Sequence, residues 1–356
     1  MVRFLLPVLL LVSSGMLNAQ SRNLEIYWID VEGGAATLFV APSGESMLID
    51  TGFDVGDRDA KRIHAAAQQA GLKKIDYVVI SHYHTDHVGG LAALSKMIPL
   101  GRFFGPNDEI EPQNQKWLDS YRTAAAGKRT IVKPGDQIPL KGVQATIVSS
   151  DHKLIAKPLS GGGPNSLCAD AEERAPAGPE NQRMVGTHLT FGKFKFLALI
   201  DLDWQKEMEL ACPVNKLGAI TLYQTSRHGA FDGAGAPALL GAIRPQVVVV
   251  NNGPRKGLGQ LDNNVKSATP AGKKTAPYER NGYARLAEIP GVEGIWQGHL
   301  SLLDKDPGHN TSEDMIANFE ETADCKGHWI KASVEPGGRF TVTNGRNGFS
   351  KTYMAR

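Results

Sequence analysis

The residues with the most evident chemistry stand in one run, Ser81-His82-Tyr83-His84-Thr85-Asp86-His87-Val88-Gly89-Gly90. Three of the ten histidines fall within six positions, together with an aspartate, and a solvated loop needs no such grouping. In extended backbone, side chains two apart point the same way, so His82, His84 and Asp86 are expected to converge on one side. His87 breaks that alternation. It precedes Val88-Gly89-Gly90-Leu91-Ala92-Ala93-Leu94, which reads as the chain turning into a helix and swings His87 toward a second point about one ligand length away. This spacing suits two metal ions rather than one. Imidazole nitrogen with carboxylate oxygen is a ligand mixture favoured by zinc, and manganese or iron also fits it.

Such donors need rigid elements behind them. Ile75-Asp76-Tyr77-Val78-Val79-Ile80 is a β-branched run that reads as a buried strand, so the histidines emerge at a strand end, on a rim. Leu24-Glu25-Ile26-Tyr27-Trp28-Ile29, Thr37-Leu38-Phe39-Val40 and Ser46-Met47-Leu48-Ile49 read as earlier strands, and Asp50-Thr51-Gly52 ends the last of them at the same rim. Residues 57–70 have helical spacing and stop at Gly71, which leaves His64 a solvated helix residue. Strands are expected over 143–148, 187–191, 193–197, 220–224 and 247–250 and at Ile295-Trp296, with helices over 113–126, 237–243 and 278–288. Residues 101–135 form either a wall or lid of the pocket or an ordinary connection, and 157–182 read as a long loop at its edge. His152, after one strand, is more often plain surface than a ligand and is left as an open further donor, whereas His188, within another strand, is read as a structural histidine.

Residues 1–19 carry one positive charge, Arg3, then an apolar stretch over 4–12 and the small residue Ala19. This is the layout of a secretory signal peptide, and the stretch is shorter than the ~18 residues a membrane span needs. The expectation is a periplasmic or extracellular protein with no membrane span after cleavage. A formal charge of +2 gives no basic field of the kind that marks nucleic-acid binding, so a small-molecule partner is favoured over DNA or RNA. Cys168, Cys212 and Cys325 allow one disulfide and one free thiol, with three ways to choose the pair. Near the C-terminus, 329–334 and 340–343, joined by Glu335-Pro336-Gly337-Gly338, read as a hairpin, either an added sheet edge or an appendage.

His82-x-His84-x-Asp86-His87 resembles the metal signature of the metallo-β-lactamase superfamily, and the wider text resembles the hydrolase domain of competence-type DNA-uptake (ComEC-like) proteins. Asp30-Val31-Glu32-Gly33-Gly34-Ala35 is similar to that branch's opening Asp-Val-Gly-Gln-Gly-Asp motif, with Ala35 in place of the acid, and Met47-Leu48-Ile49-Asp50-Thr51-Gly52 to the Leu-Ile-Asp-Thr-Gly turn. Phe196 to Asp203 looks like the strand that delivers a bridging aspartate, at Asp201. Ser226-Arg227-His228-Gly229 looks like the late His-His-Gly segment, with Arg227 replacing the first histidine, and Asn251-Asn252-Gly253-Pro254 stands where a serine and a glycine are usual.

The resemblance implies a four-layer αββα sandwich over residues 24–303, followed by a C-terminal β-hairpin extension over 304–356. It implies that His82 and His84 hold the first of two divalent ions, Asp86, His87 and His228 the second, and that Asp201 bridges them. Asp50 would orient a ligand without touching an ion, or else cap its turn locally. Two such ions ~3.5 to 4 Å apart bring the pKa of a shared water from ~15.7 toward ~7, and the resulting metal-bound hydroxide, oriented by Asp86, would attack the substrate. A phosphodiester or related ester is the substrate this branch implies. A lactam or lactone, or a non-catalytic metal-stabilised binding module, is the alternative. An acid after a buried apolar strand costs heavily in desolvation unless a cation balances it, which supports Asp201 independently. Arg227 is available for an anionic substrate group.

Overall fold

The computed structural model describes residues 23–169, 174, 176–231, 233–260 and 281–356. The expected leader over 1–19, and positions 278–280 of an expected helix, lie outside the described residues.

Two nine-stranded sheets pack face to face. The first runs, edge to edge, Ser350–Met354, Arg339–Asn344, Ile330–Val334, Leu24–Trp28, Thr37–Val40, Ser46–Ile49, Ile75–Val79, Leu100–Gly105 and Arg129–Ile131. The second runs Ile316–Asn318, Gly294–His299, Val247–Val250, Leu222–Gln224, Phe194–Ala198, Gly186–Phe191, Gln144–Ser150 and Gln137–Ile138, with Lys153–Leu154 paired beside Gln144–Ser150. The strands read as near-continuous apolar runs because both faces are covered. In Ser46–Ile49, Met47 and Ile49 join the core between the sheets, whereas Leu48 joins a second core under the helices. Phe39 of the first sheet meets Phe196 of the second edge-on, with ring centroids 5.2 Å apart. Helices Arg58–Gln69, Leu91–Met97 and Gln115–Ala124 cover the outer face of the first sheet through Ile63, Leu94 and Leu118. Helices Trp204–Ala211, Pro237–Ile243 and Gly282–Ala287 cover the second through Leu210, Leu239 and Leu286. The result is the four-layer αββα sandwich.

One buried amide ties the two sheets: Trp28 Nε1 and Thr37 Oγ1 both donate to Gln224 Oε1, at 3.0 and 2.8 Å. The strands that carry the site are the parallel ones in each sheet, Ser46–Ile49 with Ile75–Val79 in the first, and Phe194–Ala198, Leu222–Gln224 and Val247–Val250 in the second. Their carboxyl ends open on one rim, the usual position for a site in open α/β sheets.

The C-terminal hairpin is an added edge. Ile330–Val334 pairs antiparallel with Leu24–Trp28, and a third strand unseen in the sequence, Ser350–Met354, closes the row. The long loop over 157–182 has structure of its own: Gly163–Pro164 pairs with Val214–Asn215, and Pro179–Gln182 forms one helical turn. Cys168 and Cys212 form the disulfide, which joins that loop to the end of helix Trp204–Ala211, and Cys325 is free and buried. Among the described residues, no helix is long and apolar enough to cross a membrane.

Candidate metal centre

The structure brings all six expected donors to the common rim, in two groups that share one member. Donor atoms of Asp86, His87, Asp201 and His228 lie within 4.8 Å of one another, as do those of His82, His84 and Asp201. Asp86 departs from the extended alternation expected of it. The chain is already helical over Thr85–Val88, so Asp86 turns away from His82 and His84 and faces His87 and His228 instead. His152 joins neither group. It is one-third exposed, with Nε2 3.7 Å from Glu109 Oε1.

Local backbone explains how the donors are aimed. Asp50, Ile200, Arg227 and His228 all have positive φ, at 61°, 47°, 46° and 57°. For a β-branched residue such as Ile200 this is a strained state, of the kind that persists only where surrounding structure enforces it. It turns the chain sharply just before Asp201. The Arg227 amide donates to the Ile200 carbonyl at 2.6 Å, which binds the Asp201 and His228 turns together.

Behind the donors, Asp50 and Ser81 fix two histidine tautomers. Asp50 is fully buried and accepts from the Ser81 amide (2.7 Å), the Ser81 hydroxyl (2.7 Å) and His87 Nδ1 (2.9 Å). The Ser81 hydroxyl has one proton, which it gives to Asp50, so at 2.9 Å it must accept from His82 Nδ1. With Nδ1 of each held as a donor, Nε2 is the atom that His82 and His87 turn to the centre for an ion. On the far side His84 Nε2 faces Glu111 Oε2 at 3.8 Å, leaving Nδ1 for the centre, 2.9 Å from His82 Nε2. His228 differs. Its Nδ1 lies 3.0 Å from the Asn251 amide nitrogen, which also donates to Gly34 O. An ion on His228 Nε2 requires a proton on Nδ1, and a turn of the Asn251 amide, whose Oδ1 is buried without a partner, supplies an acceptor for it at the cost of the Asn251 bond to Gly34 O.

The residues fit divalent ions. His87 Nε2, His228 Nε2 and Asp201 Oδ1 are buried and lack hydrogen-bond partners, although buried polar atoms are rarely left so. Asp86 Oδ2 is 3.2 Å from His87 Nε2 and 3.3 Å from His228 Nε2, and Asp201 is 3.6 Å (Oδ2) and 3.3 Å (Oδ1) from the same two nitrogens. Ligands ~2.1 Å from a tetrahedral ion stand ~3.4 Å apart. Charge argues the same way. Burial disfavours charge on Asp86 and Asp201, but the neighbouring imidazoles, with Lys256 beside Asp86, outweigh it and hold both acids well below the usual carboxylate range. Burial likewise opposes a charge on His87, yet Asp86, Asp201 and Asp50 outweigh it and hold its pKa well above the ordinary value. Without an ion, this buried cluster must keep an imidazolium; a divalent cation is the other source of balance.

Ser81, Asn251 and Lys256 escaped the sequence reading. Lys256 Nζ hydrogen-bonds Asp86 Oδ2 and lies 4.9 Å from the Phe53 ring centre. Its only signal was position, just past the Asn251-Asn252-Gly253-Pro254 departure. Glu207 was also missed. It is buried under the His228 loop and accepts from Ser226 Oγ (2.7 Å) and the Ala236 amide (2.9 Å). Burial, only partly offset by these bonds, pushes its pKa up from 4.5 to about 7. Folded Glu207 keeps its proton where the unfolded chain has released it, so its contribution falls as pH rises from 4.5 to about 7. Replacing Glu207 with glutamine removes this dependence. In urea unfolding at pH 5 and pH 8, the variant is expected to gain about 2.5 kcal/mol on wild type between the two conditions.

The fold is that of the metallo-β-lactamase superfamily, whose family model matches residues 29–174. Among curated proteins, the chain is 28% identical over 158 residues to a UPF0173 metal-dependent hydrolase of Polynucleobacter asymbioticus, covering 42% of this chain and 52% of that protein. It is 39% identical over 75 residues to a hydroxyacylglutathione hydrolase of Xanthomonas axonopodis pv. citri, covering 21% of this chain and 27% of that one. The chain thus spans about half the length of the first relative and about a quarter of the second. Among solved structures, the metallo-beta-lactamase fold protein YhfI from Bacillus subtilis aligns over 77% of this chain and 95% of its own, at 11% identity and a TM-score of 0.45.

Proposed function

We propose that this chain is an exported hydrolase that works with two divalent metal ions on a phosphodiester or related anionic ester. The observation that carries the reading is the sharing of Asp201 between the two donor groups. His82 and His84 would complete the first site and Asp86, His87 and His228 the second, with zinc the default ion by donor type and manganese or iron compatible. Bound there, two divalent ions supply an activated water near neutral pH and polarise the attacked centre. Asp86, beside His87 and His228, would orient the attacking water, and Asp50 and Ser81 keep His82 and His87 in the tautomers the ions need. The hydrolase names of both relatives support the reaction class, and the opening motif from Asp30 supports kinship with the competence-type branch. The disulfide supports export, because such bonds persist in oxidising compartments.

Lys256 supports an anionic substrate. When Asp86 is engaged by an ion, the Lys256 ammonium is left facing the space where the reacting group sits. Replacing Lys256 with methionine is expected to raise KM for bis-p-nitrophenyl phosphate by roughly 10- to 100-fold, as loss of a charged hydrogen bond implies, with ion content unchanged by elemental analysis. The reading as a whole is tested by offering the metal-loaded protein bis-p-nitrophenyl phosphate, a chromogenic cephalosporin and a hydroxyacylglutathione thioester. Turnover of the phosphodiester is the expected result. Turnover of the cephalosporin or the thioester alone removes the phosphodiester reading, and no turnover of any leaves a metal-stabilised binding module.

A further inference from the structure

Among the described residues, one more set of mixed donors converges outside the centre described above. Asp30 follows the strand Leu24–Trp28 of the first sheet, His299 ends the strand Gly294–His299 of the second, and Cys325 lies on the segment between Ile316–Asn318 and Ile330–Val334. Their donor atoms lie within 4.8 Å of one another, and all three residues are at least nine-tenths buried. His299 Nε2 is 2.7 Å from Asp30 Oδ1, and Cys325 Sγ is 3.9 Å from Asp30 Oδ2 and 3.8 Å from Asn318 Oδ1. His299 Nδ1 is buried with no hydrogen-bond partner. A small cavity lined by Asp30, Asn252 and His328 reaches the cluster.

We propose that Asp30, His299 and Cys325 form a further divalent-cation site of zinc type, with a structural role and separate from the rim centre. One sulfur, one nitrogen and one oxygen donor is a set that zinc accepts, and Asn318 Oδ1 is at hand for the fourth position. Charge closes without strain on the neighbours. The Asp30 carboxylate and a Cys325 thiolate neutralise the dication, and the thiol proton is released to solvent as the ion binds. Arg62, now 2.7 Å from Asp30 Oδ2, retains Glu32 as a counter-ion at 3.2 Å. The ion would tie both sheets to the segment that leads into the C-terminal strands, which gives the free thiol a purpose that hydrophobic packing alone does not.

The test is cobalt substitution in the full-length protein. The chain has three cysteines and two are joined in the disulfide, so a sulfur-to-cobalt charge-transfer band can come only from Cys325. The rim donors contain no sulfur, so the band reports this site whether or not the rim centre behaves as proposed. The expected result is a near-ultraviolet thiolate band in wild type that Cys325→Ser abolishes, with loss of one bound cobalt per chain and no change in the remainder. Folded wild type that binds cobalt without a thiolate band overturns the proposal without reference to any variant. A band that survives in Cys325→Ser, or an unchanged cobalt content in that variant, overturns it as well.

Discussion

Asp201→Ala is expected to lower the ion content of the rim centre from two to one per chain and to cut phosphodiester turnover by roughly 10³-fold or more. The first donor group then keeps only His82 and His84, too few to hold a divalent ion in competition with water, whereas Asp86, His87 and His228 still offer three. Removing a single transition-state-stabilising contact commonly costs about 10²- to 10³-fold, and here a whole ion leaves with it. Elemental analysis alongside turnover of bis-p-nitrophenyl phosphate checks both halves. Two ions retained, or activity within tenfold of wild type, would show that Asp201 is not shared between sites.

Asp50→Asn should weaken ion binding by about 10- to 100-fold, although Asp50 touches no ion. The asparagine carbonyl can still accept from the Ser81 amide. Its NH2 group, however, replaces the oxygen that accepts from both the Ser81 hydroxyl and His87 Nδ1. A donor then faces two donors in a fully buried place, at a cost of roughly 1–3 kcal/mol for each group left unsatisfied. His87 is relieved of this clash by moving its proton to Nε2, which is the atom the ion requires. Chelator competition measures the affinity and thermal unfolding the stability. If Asp50 merely capped its turn, stability would fall while affinity stayed constant.

Much of the site was legible because its ligands sit at strand ends, and strand ends show in sequence as a β-branched run followed by polar residues. Ile75-Asp76-Tyr77-Val78-Val79-Ile80 before Ser81-His82 and Ile220-Thr221-Leu222-Tyr223-Gln224 before His228 both read this way. The family resemblance supplied Asp50 and linked Asp201 to the rest. What stayed hidden depends on partners far away in the chain. Lys256 meets Asp86 across 170 positions, and nothing local to Pro254-Arg255-Lys256 marks that lysine as different from a solvated one. The alternation that aligned Asp86 with His82 and His84 failed because a helix that starts at Thr85 carries no capping signal, His84 making no side-chain cap bond, whereas the resemblance had grouped Asp86 with His87 and His228, as the structure does. Ser350–Met354 escaped because an outermost strand buries little: Tyr353 is its one buried residue. The choice of Cys168 with Cys212 likewise follows from a three-dimensional approach that spacing does not encode.

The donors of the rim centre come from loops of both sheets, His82, His84, Asp86 and His87 from one and Asp201 and His228 from the other. Ions seated there clamp the two halves of the sandwich, so occupancy and folding become one equilibrium. At free ion a hundred times its dissociation constant, the folded chain gains about 2.7 kcal/mol. The working lifetime of the folded chain would then follow the local supply of trace metal, with starved chains the first to be cleared by proteases.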